Sequence, residues 1–209
     1  MATKFRWLLK LVSLLPDGPW IWGAKARQLE AKGSYQDGLQ EGPWEMYYEN
    51  GQLEFKGNYK KGKRDGPWEM YYESGQLKVK GGSIRGRPHG IFERYHENGQ
   101  LEEKSIYRNG EQYGSFETYH ENGQLRSKGS YVHGSLDGLS KLDGPMEAYY
   151  ENGQLRKKGR YHDGDMEGSW EFYYDNGQLG KTENYNNGIL DGLWEFYDRD
   201  GNLKEKRNY

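Results

Sequence analysis

Apolar and polar residues alternate along this chain in short runs, and the runs recur. Trp44 to Tyr48 and Leu53 to Tyr59 are aromatic-rich, β-prone stretches on either side of Asn50-Gly51. Alternation of this kind reads as half-buried strands, and Asn-Gly between two such runs reads as a hairpin turn. The pattern reopens at Gly18, Gly42, Gly66, Gly90, Gly114, Gly144, Gly168 and Gly192, spaced 24 residues apart except for one step of 30. A fixed period in this range marks stacked supersecondary units. The expected fold is all-β: an elongated, single-layer antiparallel meander of eight hairpins over residues 18–209. It would have about sixteen short strands, adding roughly 10 Å per hairpin at the usual strand spacing.

A two-residue type I′ turn at Asn50-Gly51 predicts a register in which Glu49 faces Gln52, Tyr48 faces Leu53, Met46 faces Phe55, Glu45 faces Lys56 and Trp44 faces Gly57. In the other copies the same register opposes Glu69/Lys80, Glu93/Lys104, Glu117/Lys128, Glu147/Lys158 and Glu195/Lys206. It also sets a bulky residue against a small one in Trp20/Gly33, Trp68/Gly81, Phe92/Ser105, Phe116/Gly129 and Met146/Gly159. A three-residue loop with Gly51 in a bulge would scramble both patterns, which favours the two-residue turn. Alternation then gives an apolar face carrying Trp44, Met46, Tyr48, Leu53 and Phe55. The opposite face is charged and holds a tyrosine column: Tyr47, Tyr71, Tyr95, Tyr119, Tyr149, Tyr173 and Tyr197. Between hairpins, stretches such as Tyr59 to Gly66 suit a second turn at the opposite edge.

Composition narrows this picture. Hydrophobic residues make up 33% of the chain and charged residues 30%, values that lean toward disorder. The 19 Tyr and 7 Trp argue the other way, and they make the expected core aromatic. A net charge of −2 with interleaved signs gives no support to nucleic-acid binding. No Cys is present, which excludes disulfides and thiolate chemistry and is compatible with the expected cytoplasmic location.

Residues 1–17 stand outside the array. Phe5, Leu8, Leu9, Val12 and Leu15 recur at helical spacing, which predicts a short helix capping the open end of the sheet. Two other readings are open: a helix contacting a membrane surface or a partner, with membrane association as the alternative location, and a degenerate signal segment.

Gly-x-Trp-x-x-Tyr-Tyr-x-Asn-Gly-Gln-Leu followed by Tyr-x-x-Gly, clearest over residues 42–62 and 168–188, resembles the MORN-variant repeat, the bacterial form of the membrane-occupation-and-recognition-nexus motif. Many such chains resemble the YwqK-type antitoxin family, which implies a protein partner of the cognate-toxin kind. Related arrays imply scaffolding or phospholipid contact. The resemblance brings no catalytic residue and no cofactor. In the first copy Ile21, Gly23, Ala24, Ala26 and Arg27 depart from the motif, and in the last copies Glu183 and Arg207 replace its small residue, as capping units would.

Candidate binding residues come from departures and columns. Arg94 and His96, with Phe92, and Thr118 and His120, with Phe116, break the apolar face in adjacent copies. They read either as drift or as a partner-contact patch. His96 and His120 lie about 10 Å apart by strand spacing, too far to share a metal without a third ligand. Tyr47, Tyr71, Tyr95, Tyr119, Tyr149 and Tyr173 form either a binding strip or rings covered by Lys and Arg stems. The six-residue insertion before Gly144 carries Leu136, Leu139 and Leu142, and reads as a tolerated loop or a contact loop. No P-loop, nucleophile elbow, His-Glu-x-x-His or dinucleotide fingerprint occurs, so the expected function is protein binding rather than catalysis.

Overall fold

Two turn chemistries alternate along the chain, and the type I′ turn sits at the edge opposite the one expected. In the Asn-Gly loops the Gly51 N–H donates to the Tyr48 carbonyl at 2.9 Å and the Tyr48 N–H to the Gln52 carbonyl at 2.8 Å. Gly51 is left-handed at φ 84° while Asn50 is not. This is a three-residue loop, a type I turn closed by a glycine bulge, and it corrects the predicted two-residue turn. The same loop forms at Ser74-Gly75 and Asp200-Gly201, so the glycine position sets the turn and the Asn50 side chain reinforces it. Its Oδ1 accepts the Gln52 N–H at 2.9 Å, and its Nδ2 donates to the Glu73 carbonyl of the next loop at 2.8 Å. The two-residue type I′ turn occurs at the other edge: Lys60 pairs with Lys63 around Lys61 (φ 50°) and Gly62 (φ 73°). Asp37-Gly38, Arg85-Gly86, Asn109-Gly110, Asp163-Gly164 and Asn187-Gly188 repeat that backbone.

The predicted pairs remote from the loop survive the change of turn. Met46/Phe55, Glu45/Lys56 and Trp44/Gly57 are opposed as expected, because a second irregularity next to Tyr47 restores the register. The extra residue is Glu54, since Tyr47 pairs with Leu53 and Met46 with Phe55. The predicted pairs Tyr48/Leu53 and Glu49/Gln52 are therefore wrong. Leu53 stands opposite Tyr47, which moves the leucine column from the tryptophan face to the tyrosine face. The same compensation recurs at Tyr71, Tyr119, Tyr149, Tyr173 and Tyr197.

The computed structural model describes residues 17–22, 30–133 and 140–209. All regular structure among them is antiparallel strand. The N-terminal segment 1–16, with its predicted helix, lies outside the described residues. The chain divides into two compact units, residues 1–99 and 100–209. The first contains β1 (Gly18–Trp22), β2 (Ala31–Gln36), β3 (Leu39–Tyr47), β4 (Leu53–Lys60), β5 (Lys63–Tyr71), β6 (Leu77–Ile84), β7 (Arg87–Pro88) and β8 (Gly90–Tyr95). The second contains β9 (Leu101–Arg108), β10 (Glu111–Tyr119), β11 (Leu125–His133), β12 (Ser140–Leu142), β13 (Gly144–Tyr149), β14 (Leu155–His162), β15 (Asp165–Tyr173), β16 (Leu179–Asn186), β17 (Ile189–Leu190), β18 (Leu193–Tyr197) and β19 (Leu203–Asn208). The strand count exceeds sixteen because β7, β12 and β17 are split from the strands that follow them, next to the left-handed Gly90, Gly144 and Gly192.

The core is thin and aromatic. Its buried apolar members are Trp44, Phe55, Trp68, Ala148 and Trp170. Among the described residues no leucine of the repeated column is one of them, which agrees with their new face. Tyr35 meets Trp44 edge-on at 5.1 Å and Tyr161 meets Trp170 at 5.0 Å, contacts worth about 0.5–1.5 kcal/mol each beyond burial. Trp170 is fully enclosed, with the Lys157 ammonium lying 5.4 Å from its ring centre.

The six-residue insertion leaves the pairing intact. Tyr131 faces Leu142 as Tyr59 faces Arg64, so the hairpin simply runs further, to His133 opposite Ser140. Leu136 and Leu139 lie outside the described residues.

Candidate functional site

Each recurring polar side chain has two strands beside it, and the one it serves is often in the next hairpin. Lys56 is opposed to Glu45 within its hairpin and to Glu69 in the following one. Its ammonium goes to Glu69 at 2.8 Å. Lys80 goes to Glu93 at 2.6 Å and Lys158 to Glu171 at 2.9 Å, and Lys32 and Lys128 likewise reach forward to Glu45 and Glu147. The predicted ion pairs inside hairpins are thus mostly ion pairs between hairpins. Lys206 does turn back to Glu195 within its own hairpin.

The tyrosine column completes this lattice. Tyr47 donates its hydroxyl to Glu45 at 2.6 Å, Tyr95 to Glu93 at 2.8 Å and Tyr119 to Glu117 at 2.7 Å. Tyr71, Tyr149 and Tyr173 donate to Glu69, Glu147 and Glu171. The Lys56, Lys80 and Lys158 ammonium groups lie 5.7, 5.7 and 5.8 Å from the ring centres of Tyr71, Tyr95 and Tyr173. All six rings are half-buried. Titration follows this geometry. The hydrogen bond to Glu45, then burial, pushes Tyr47 up to about 12. Hydrogen bonds from Tyr149 and Lys128 hold Glu147 below the ordinary carboxylate value of 4.5.

The small residue works between hairpins in several repeats, while Gly129 keeps the expected cover by Phe116 of its own hairpin. Gly57 is opposed to both Trp44 and Trp68, and a Cβ there would come within 2.8 Å of Trp68 Cβ and 2.7 Å of Phe55 Cζ. At Gly33 and Gly159 a Cβ would overlap the rings of Trp44 and Trp170, the tryptophans of the following hairpins. Expected cover by the tryptophan of the same hairpin is corrected accordingly. In the last repeats Glu183 fills this place and is buried, accepting from Lys181 at 2.7 Å, Tyr185 at 2.9 Å and Trp194 Nε1 at 3.0 Å.

Both loop edges are sewn in the same direction. Tyr48, Tyr72, Tyr150 and Tyr174 donate to the carbonyls of Tyr71, Tyr95, Tyr173 and Tyr197. At the type I′ edge, Glu41 accepts the Lys61 N–H at 2.8 Å, Asp65 the Arg85 N–H at 3.1 Å and Glu167 the Asn187 N–H at 2.9 Å.

The residues singled out as departures divide between the units. In the first, Arg94 is exposed on β8 opposite Val79, and His96 is half-buried with its carbonyl accepting the Gly99 N–H at 2.9 Å. In the second, Thr118 faces Ser127 with their hydroxyls 2.6 Å apart. His120 Nε2 lies 3.0 Å from the Tyr149 carbonyl, the place a tyrosine hydroxyl occupies in other repeats. This bond puts the proton on Nε2. Among the described residues no group of three His, Asp or Glu is placed to hold a metal ion. Two shallow depressions occur, one lined by Asn186, Asn187, Ile189, Leu190 and Asp191 and the other around Met146, Lys158 and Glu171.

One surface feature escaped the reading of the sequence. Lys60, Lys61, Lys63, Arg85 and Arg87 gather, all exposed, on two successive type I′ turns. The signal was available: lysine and arginine stand at turn tips where Asp37, Asn109, Asp163 and Asn187 stand elsewhere.

Geometry of this kind defines a class, the stacked hairpin-repeat proteins, in which recurring side chains hold neighbouring hairpins together. Within it, this chain belongs to the MORN repeat variant family, whose model matches residues 40–61, 64–81, 88–109, 112–133, 142–163, 166–187 and 190–209. The first hairpin, where the motif departs most, lies outside the match. A comparison with curated proteins finds no match.

Proposed function

We propose that this chain is a non-enzymatic, protein-binding repeat protein, and that its specific role is that of an antitoxin or immunity-type protein covering a toxin's active site or substrate groove. One observation carries the binding reading. The recurring polar side chains are committed to joining hairpins, while residues that depart from the repeat, such as Arg94, Ile84 and Ile91, are exposed. Membership of the MORN repeat variant family supports binding as the activity. The resemblance of the motif to YwqK-type antitoxins supports a toxin as the partner.

The test has two stages. Full-length tagged chain is used as bait in native lysate, and the retained protein is purified and recombined with it. A stoichiometric complex by light scattering is expected. The partner is then expressed alone and together with the chain. Growth arrest by the partner alone, relieved by the chain, is the expected result. A stoichiometric complex without relief would remove the antitoxin role and leave protein binding standing. No retained protein would remove both.

A further inference from the structure

The turn edge of the first unit breaks three local rules at once. Lys61 and Arg85 are left-handed at φ 50° and 51°, a conformation that favours Gly, Asn and Asp. Lys60 lies directly opposite Lys63, and like charges in that position repel. The corresponding pairs in the second unit lack like charges: Arg108/Glu111 and His162/Asp165 are complementary, and Asn186/Ile189 is uncharged. Neutralising acids are also absent: among the described residues Lys60, Lys61, Lys63, Arg85 and Arg87 have no carboxylate within ion-pair distance. The nearby carboxylates Glu41 and Asp65 accept the Lys61 and Arg85 backbone N–H groups, and two acids beside five cations leave the edge net positive.

None of these features improves stacking, and local rules are broken most often where function requires it. We infer that residues 60–64 and 84–87 form a docking ridge for an extended acidic segment of a protein partner. This rests on the protein-binding reading above and gives it a site and a partner chemistry. The two turns are stacked, with the Gly86 N–H donating to the Arg64 carbonyl at 2.7 Å. Cations therefore recur about every 10 Å, two strand spacings, which matches a carboxylate at every third residue of an extended polyproline II-type chain, where such residues share one side about 9 Å apart. The free charge is confined to a line one turn wide, because on the adjoining face Lys56 and Lys80 are paired with Glu69 and Glu93. A line suits an extended peptide, whereas a plane of lipid headgroups rewards charge spread over a face. Leu39 and Ile84, exposed on the same edge, add aliphatic contact. They offer no ring on which nucleic-acid bases would stack.

The experiment uses the full chain and a labelled fifteen-residue peptide of repeating Ser-Gly-Glu, followed by fluorescence anisotropy at two salt concentrations. The variant Lys60→Gln/Lys61→Asn/Arg85→Asn places at both tips the residue type that other turns carry, so its melting temperature should match or exceed that of the parent. It should bind the peptide at least about tenfold more weakly. The control Arg126→Gln/Arg156→Gln/Arg160→Gln removes equal charge elsewhere and should bind as the parent does. Equal loss in both variants would show a net-charge effect and overturn the ridge. So would tighter binding, through the same residues, to phosphatidylserine vesicles or to an oligo-dT strand than to the peptide. A captured protein partner that binds parent and ridge variant equally would overturn the ridge while leaving the protein-binding function intact. Failure to capture any partner bears on that function alone, since the peptide titration still decides the ridge.

Discussion

At the scale of single residues, the glycine and the histidine of the stacking ladder make opposite demands. Gly159 leaves room for the Trp170 ring of the next hairpin, and a methyl group there would overlap a ring that is itself fully enclosed. Gly159→Ala should destabilise the second unit by about 1–3 kcal/mol, the usual cost of overpacking, read as a lowered urea midpoint. An unchanged midpoint would mean that the ring is free to move. His120 shows tolerance instead. It takes the place of a tyrosine and reaches the same carbonyl acceptor, Tyr149 O, at 3.0 Å. His120→Tyr should leave stability within about 0.5 kcal/mol of the parent, while His120→Ala should cost about 1 kcal/mol for the lost hydrogen bond. The sequence marked His120 as a departure. What it could not show was that a ring nitrogen and a phenol oxygen reach the same carbonyl.

At the scale of the hairpin, the side chain of the loop asparagine reinforces the turn and ties it to the next loop. Asn152 accepts the Gln154 N–H at 3.0 Å and donates to the Asp175 carbonyl of the following loop at 2.7 Å. Asn152→Ala removes both bonds and should cost about 1–2 kcal/mol. Asn152→Asp keeps the acceptor for Gln154 but sets a carboxylate oxygen against a carbonyl. It should therefore be at least as damaging, and equilibrium unfolding of the two variants separates the turn bond from the bond between loops. Asn-Gly is a sound sign that a turn exists, and the hairpins occur where the dipeptide places them. The turn type was not legible, because Asn-Gly suits both a two-residue type I′ turn and a three-residue loop with a glycine bulge. Compensation by the bulge next to Tyr47 explains how the predicted pairs Glu45/Lys56 and Trp44/Gly57 hold with a different loop.

At the scale of the molecule, the Lys–Glu–Tyr lattice makes stability depend on pH at both ends. Glu147 has a folded-state value below its ordinary 4.5. The stability it contributes is present above 4.5 and is lost as pH falls through the lower folded value. Tyr47 is raised from 10.0 to about 12, and Lys56 is raised mainly by its hydrogen bond to Glu69. Their contributions are present below the ordinary tyrosine and lysine values and are lost as pH rises through the folded ones. Melting temperature should be level between about pH 5 and pH 10 and fall on both sides. A profile that falls only in acid would show that the tyrosines and lysines of the lattice contribute nothing. Each exposed pair is worth about 0.2–1 kcal/mol, so the effect comes from repetition rather than from any one pair. The last hairpin stands apart. Lys206 returns to Glu195, Asp198 replaces the donor tyrosine, and Arg207 lies 5.4 Å from the Trp194 ring centre.

The sequence alone determined the period, the all-β class, the hairpin positions and the residue pairs remote from the loops. It could do so because strand alternation and cross-strand complementarity are local and are repeated many times. Tertiary structure decided which of two neighbouring strands each side chain serves, which edge carries the type I′ turn, and which face holds the leucines. Every strand inside the array has two neighbours, and a register read within one hairpin shows only one of them. Lys56 bonds Glu69, and Trp170 covers Gly159, because the second neighbour offers the closer fit. The same reason hid the basic ridge: residues 60–64 and 84–87 are separate along the chain and meet only when the hairpins stack.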